Sequence, residues 1–237
     1  MRYKNSISYL LWGREALFSD PIMRVGGEKC SYPVPTYQAL KGITESIYWK
    51  PTLIWIVDRV RVMHPIRSQS KGMCPMKEAP GKNDLALYTY LTDVAYQVEA
   101  HFVWNEARTE LIADRNEHTH FSIAKRMLER GGRRDIFLGT RECQGYVEPC
   151  TFGSGEGAYD DVDEMPLGMM FHGFDYADET GENMMRTRFW RPRMRKGIID
   201  FCPPDRCPVV RTVKNQKPMS FEPGVNLTLC EDEEGWT

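Results

Sequence analysis

The chain has 237 residues, 41% hydrophobic, 11% aromatic and 27% charged. That balance is too apolar for a disordered chain and, at a mean hydropathy of -0.50, too polar for a helical membrane protein. The length allows one elaborated domain, or a domain with an appendage, and excludes a small disulfide-stapled scaffold. A net charge of -2 carries no overall preference for a polyanion, so the placement of charge matters more than its sum.

Residues 3–12 alternate as a strand, with Ile7, Tyr9 and Leu11 on one side. A loop through Pro21 and Gly26-Gly27 leads to Thr36, an N-cap for a helix whose Leu40, Ile43 and Ile47 recur at helical spacing and which Pro51 ends. Tyr48 falls in its last turn. Residues 53–63 form the next strand, with Ile54, Ile56, Val60 and Val62 on its even face. The odd face runs from Leu53, Trp55 and Val57 into Arg59 and Arg61 and is expected to turn cationic. After a Pro/Gly/Lys-rich loop at 71–82, a long strand covers 91–104, a helix covers 117–130 and stops at Gly131-Gly132, and residues 135–139 supply a fourth strand.

This order, βαββαβ, predicts an α+β protein with a ferredoxin-like, RRM-like domain at 1–147. Beyond it the composition shifts toward Gly, Asp and Pro, and strand candidates at 167–174, 187–191, 197–201 and 209–213 predict a smaller β-rich appendage at 148–237. Arg133 to Gly139 lacks the aromatic pair by which an RNA-recognition motif stacks bases. Fold alone therefore assigns no chemistry. Apolar runs such as 53–57 are far shorter than the roughly 20 residues a spanning helix needs. Gly13, Arg14 and Glu15 interrupt the N-terminal apolar stretch too early for a signal peptide, so no membrane partner is expected and the expected compartment is the cytoplasm.

Charge segregates along the chain. Six of the eleven residues at 186–196 are basic, and Lys125, Arg126, Arg130, Arg133, Arg134 and Arg141 form a second basic stretch. Acid collects at Asp160, Asp161, Asp163 and Glu164 and in a tail at 231–234. Each basic run fits a solvated face as well as a polyanion site. Seven irregularly spaced cysteines are expected to be reduced thiols; Cys202 and Cys207 flank a turn but lack a second pair for structural zinc.

His118 and His120 are two apart and cannot share a helical face, which disfavours a paired metal site. One histidine at a helix start is an acid-base candidate, or an ordinary surface or capping histidine. Tyr48 could orient a hydroxyl nucleophile or simply pack. Gly131-Gly132-Arg133-Arg134 offers amides and two guanidiniums to a phosphate, or is a helix stop followed by solvated arginines.

Several segments together resemble the Cas-five subunit (subtype d) of type I-C CRISPR systems, in the RAMP superfamily. They are Arg14-Glu15-Ala16-Leu17-Phe18, Gly26-Gly27-Glu28, Ser31-Tyr32-Pro33-Val34-Pro35-Thr36 with Ala39-Leu40-Lys41-Gly42-Ile43, and Ile47-Tyr48-Trp49-Lys50-Pro51. Residues 131–143 and Leu167-Gly168-Met169-Met170-Phe171-His172 extend the likeness over nearly the whole chain. The resemblance implies a metal-independent, cofactor-free endoribonuclease that cuts CRISPR repeat RNA by 2′-hydroxyl attack and retains the 5′ handle. Its implied partners are CRISPR RNA, the backbone and large subunits of the interference (Cascade) complex, and target DNA within that complex. A non-cutting, handle-binding scaffold is the alternative.

The family's catalytic tyrosine falls on Tyr48 and its histidine on His120. Where many relatives carry lysine this chain has Thr119, so His118 or Lys125 is expected to compensate in part. Lys41, Arg59, Arg61, Lys125, Arg133, Arg134 and Arg141 are the expected RNA-binding cations, with Arg59 and Arg61 on the face that carries the cut. The run at 186–196 fits either RNA or a neighbouring subunit.

Overall fold

The computed structural model describes residues 4–21, 23, 28–74 and 85–231. Gly26-Gly27, most of the 71–82 loop and the tail beyond Glu231 lie outside them. The elements are β1 (Ser6–Ala16), β2 (Lys29–Cys30), α1 (Tyr37–Ile47), β3 (Leu53–Val62), β4 (Ser68–Met73), β5 (Ala86–Trp104), α2 (Glu117–Glu129), β6 (Ile136–Phe137) and β7 (Gln144–Pro149). There follow β8 (Met165–Pro166), β9 (Met170–Asp175), α3 (Ala177–Thr180), β10 (Met184–Trp190), β11 (Arg193–Met194), β12 (Ile198–Asp200) and β13 (Val209–Asn215).

The chain is mixed α/β and mostly strand. The main sheet runs β12-β3-β5-β1-β7-β6, with β2 and β4 also on β5. Its inner face carries Ile7, Tyr9 and Leu11 of β1 opposite Ala100, Val98 and Tyr96 of β5, all buried. Helices α1 and α2 pack on this face: Tyr9 Oη meets Thr44 Oγ1 of α1 at 2.7 Å, and the His120 ring of α2 stands 6.3 Å from that of Phe102 on β5. The C-terminal strands form a separate sheet, β13-β10-β9, but β12 returns to the main sheet as the neighbour of β3.

Two expectations about strands are corrected. The fourth strand beside β1 is β7, while the 135–139 segment contributes only the two-residue edge strand β6. A paired Gly13 and Gly145 lets the two strands close under Leu138, whose side chain a Cβ on Gly145 would meet at 2.9 Å. In β3 the register shifts between Val57 and Arg59. The extra residue, Asp58, exchanges the faces mid-strand: Leu53, Trp55 and Val57 point inward, and so do Val60 and Val62. The odd face therefore does not turn cationic on the inside, and Arg59 and Arg61 emerge on the outer face, opposite Glu99 and Gln97.

Candidate functional site

α1 begins where Thr36 accepts the Ala39 amide. It ends because Pro51 cannot continue it. Tyr48 leaves the helix extended, at φ -158° and ψ 131°, and its carbonyl accepts the indole N–H of Trp55 at 2.7 Å. The phenol is thereby turned into the core. α2 starts at Asn116, which accepts the Thr119 amide, so His120 lies in the first turn, facing the sheet.

The two rings meet. Tyr48 Oη is 2.7 Å from His120 Nδ1, and both residues are 0% exposed. His120 Nε2 lies 2.7 Å from the carbonyl oxygen of Asp114, which can only accept, so Nε2 carries the hydrogen. In the neutral ring Nδ1 then accepts from the Tyr48 hydroxyl. The Asp114 carboxylate stands 3.5 Å from Nε2. It is held by Thr52 Oγ1 at 2.5 Å and by the Cys230 amide at 2.6 Å.

Asp114, His120 and Cys230 place ligand-type atoms within 4.8 Å of one another and are the trio among the described residues that could hold a metal ion. Coordination there would compete with the hydrogen bonds just given. Burial, reinforced by Asp114, pushes the Cys230 thiol up to about 12, against forming the thiolate a metal prefers. The described cysteines are all free thiols.

Segment 219–230 packs against this region. Lys50 Nζ donates to Thr228 O at 2.5 Å, and Trp49 makes an edge contact with Phe221. A cavity of about 230 Å³ opens beside Trp49 and Lys50, lined also by Arg133, Arg134, Phe221 and Thr228. The Gly131-Gly132-Arg133-Arg134 amides are not presented to a phosphate. Gly131 and Gly132 donate to Leu128 and Met127, closing α2, and Arg133 and Arg134 donate to Ser46 O, capping α1. The exposed side chains of Arg133 and Arg134 are what reach the cavity.

The other expected cations go elsewhere. Lys41 is 2% exposed and bound to Glu179 at 2.5 and 2.6 Å. Arg59 pairs with Glu99 and lies over Phe152. Arg61 is 5% exposed and serves Asp160 and the carbonyls of Ser154 and Gly155. Neither arginine shares the face that holds Tyr48 and His120. Lys125 is exposed on α2, 5.7 Å from the Phe121 ring. Arg141 is exposed in the turn between β6 and β7, and His118 is exposed while Thr119 is buried. In the 186–196 run, Arg186 pairs with Glu182, Arg188 with Asp175, and Arg193 and Arg195 with Glu164. Sequence reasoning missed Asp114, Thr52 and Cys230, which no local motif connects.

A strand-rich α/β body with a buried tyrosine-histidine pair is matched by the family model described as "CRISPR-associated protein (Cas_Cas5)" over residues 6–202. The CRISPR pre-crRNA endoribonuclease Cas5d of Mannheimia succiniciproducens is 30% identical over 240 residues, covering 84% of this chain and 96% of the relative. That of Thermus thermophilus is 32% identical over 149 residues, 59% of this chain and 62% of the relative. A solved CRISPR-associated protein superposes with a TM-score of 0.72 at 35% identity, covering 87% of this chain and 96% of its own. A functionally uncharacterized protein from Streptococcus mutans gives 0.70 at 37% identity, covering 87% and 97%. The chain belongs to the Cas5d family.

Proposed function

We propose that this chain is a metal-independent endoribonuclease that cuts the repeat of precursor CRISPR RNA, with Tyr48 and His120 as its reacting pair. The activity named for its Mannheimia and Thermus relatives supports the reaction. The 2.7 Å contact between Tyr48 Oη and His120 Nδ1 is the observation that carries the residue assignment.

In the proposed step the ribose 2′-hydroxyl beside the scissile phosphate gives its proton to Tyr48 Oη as Tyr48 passes its own to His120 Nδ1. The 2′-oxygen attacks phosphorus and the P–O5′ bond breaks. The proton returns from His120 through Tyr48 to the departing 5′-oxygen, leaving a 2′,3′-cyclic phosphate and a 5′-hydroxyl. Coupling to imidazole spares a phenol, with an ordinary pKa of about 10, from acting alone as the base. Lys50, Arg133 and Arg134, which share the adjoining cavity, hold the phosphates and supply the charge that Thr119 cannot.

With both rings sealed from solvent, this reading requires segment 219–230 to swing away as RNA enters. It also takes residues 1–147 as a ferredoxin-like domain, supported by the order β3-β5-β1-β7 with α1 and α2 on one face, and 148–237 as a β-rich appendage. The product stays bound by its 5′ handle, and the protein joins the backbone and large subunits of the type I-C interference complex, with target DNA as a partner within it.

The test is incubation of purified protein with its cognate repeat RNA in EDTA, comparing the native chain with Tyr48→Phe and His120→Ala. Cleavage by the native form alone supports the enzyme. Buried rings and Thr119 favour a second reading, a scaffold that grips the handle without cutting; tight binding with no cleavage by any form selects it.

A further inference from the structure

We propose that Asp114 is the positioning residue for His120, holding its tautomer through the main chain and its charged form through the carboxylate. This rests on the reading of Tyr48 and His120 as the reacting pair.

Asp114 is 2% exposed and closes the short 3-10 helix Thr109–Asp114 just before α2. From there it addresses the far side of the imidazole twice. Its carbonyl takes the Nε2 hydrogen at 2.7 Å, which leaves Nδ1 as the acceptor for Tyr48. Its carboxylate, 3.5 Å from the same nitrogen, faces the positive charge that appears when Nδ1 takes the tyrosine proton. In the closed state Thr52 Oγ1 and the Cys230 amide each fix one carboxylate oxygen, and the Thr52 contact, which lies outside segment 219–230, still holds the carboxylate when that segment swings away. A negative charge fixed this close to a buried imidazolium stabilises it, which makes the neutral ring a better proton acceptor. Among the described residues, the titratable groups near the ring include Tyr48 after α1, Asp114 just before α2 and Cys230 from the C-terminal segment, with Lys50 near Cys230. Phe102 and Trp104 of β5 complete the surround.

Asp114→Asn removes the charge and keeps the shape, and its oxygen still accepts the Cys230 amide. The experiment measures single-turnover cleavage of repeat RNA by native protein and D114N across pH 5 to 8, a window set by ordinary imidazole titration. It also measures the dissociation constant of an uncleavable 2′-deoxy RNA, and uses circular dichroism to check folding. The expected result is a plateau rate at least about tenfold lower, an acid limb displaced to lower pH by about one unit, and an unchanged dissociation constant. Asp114→Glu, which restores a carboxylate, recovers part of the rate. A folded D114N that matches the native rate and pH profile overturns the proposal. So does a D114N loss confined to RNA binding, or one that accompanies unfolding and is not relieved by D114E. Native protein that fails to cleave at any pH defeats the underlying reading instead, so the two failures are distinct.

Discussion

Tyr48 and His120, 72 positions apart, are joined by a 2.7 Å hydrogen bond inside the core, while the other nitrogen of the same imidazole is engaged by Asp114 at 2.7 Å. The ring cannot turn about its Cβ–Cγ bond without breaking both contacts. In the proposed chemistry one helix end and one helix start present a single pre-aligned proton pathway, and no other acid-base group is needed.

The two classes of arginine separate by experiment. Arg134→Ala, changing an exposed guanidinium on the cavity beside Lys50, should weaken RNA binding and reduce the slope of log affinity against log salt by about one, with little change in melting temperature. Arg61→Ala should do the reverse. It strips a buried hub from Asp160, Ser154 and Gly155, at a cost of about 2 to 4 kcal/mol, and leaves the affinity of the folded fraction intact. Titrations at several salt concentrations, paired with thermal melts, check both.

His172 should contribute a loss of stability in acid, set against an opposite gain from Glu45, whose burial raises its carboxyl to about 7. The His172 ring is buried, stacked 4.2 Å from Tyr37, and donates from Nε2 to Cys202 O at 2.9 Å. Burial first, and then the neighbouring Arg188, hold its pKa down near 3 from an ordinary 6.5. The unfolded chain therefore binds this proton below about pH 6.5 while the folded chain refuses it, so the His172 contribution is complete above 6.5 and is lost as pH falls toward 3. The slope is about 1.4 kcal/mol per pH unit. His172→Phe keeps a ring against Tyr37 and should remove this loss, so that in melts between pH 7 and 5 the native chain loses stability relative to the variant as pH falls, even if the variant starts lower.

RNA should loosen segment 219–230. The Cys230 amide donates to Asp114 and Thr228 O accepts from Lys50, contacts that must open if the ribose is to reach Tyr48. Hydrogen exchange on the native chain, with and without 2′-deoxy repeat RNA, should show faster exchange across this segment when RNA is bound. Unchanged or greater protection there would contradict the proposed route of entry.

Elements with a clean period are legible in the sequence: the shared face of Ile7, Tyr9 and Leu11, the Thr36 helix start, and the Gly131-Gly132 stop all follow from local rules. Other features are not. Asp58 is one extra residue in β3, and a period-two reading carried past it puts Arg59 and Arg61 on the wrong face. Gly145 obscured the alternation of β7, whose inward pattern depends on Leu138 filling the space over two glycines. The basic and acidic runs looked segregated, yet folding pairs Arg193 and Arg195 with Glu164 and Arg61 with Asp160, because charges far apart in sequence become neighbours between strands. Tyr48 and His120 were singled out through the family resemblance. Asp114, Thr52 and Cys230 were invisible because only the tertiary fold assembles them.

The most direct measurement is a double-mutant cycle on single-turnover cleavage in EDTA at saturating repeat RNA, using Tyr48→Phe, His120→Ala and the pair combined. If the two rings act as one proton pathway, each single change costs roughly 100-fold or more and the double variant is scarcely slower than the worse single one. Fully additive losses, or a folded single variant that cuts at the native rate, would contradict it.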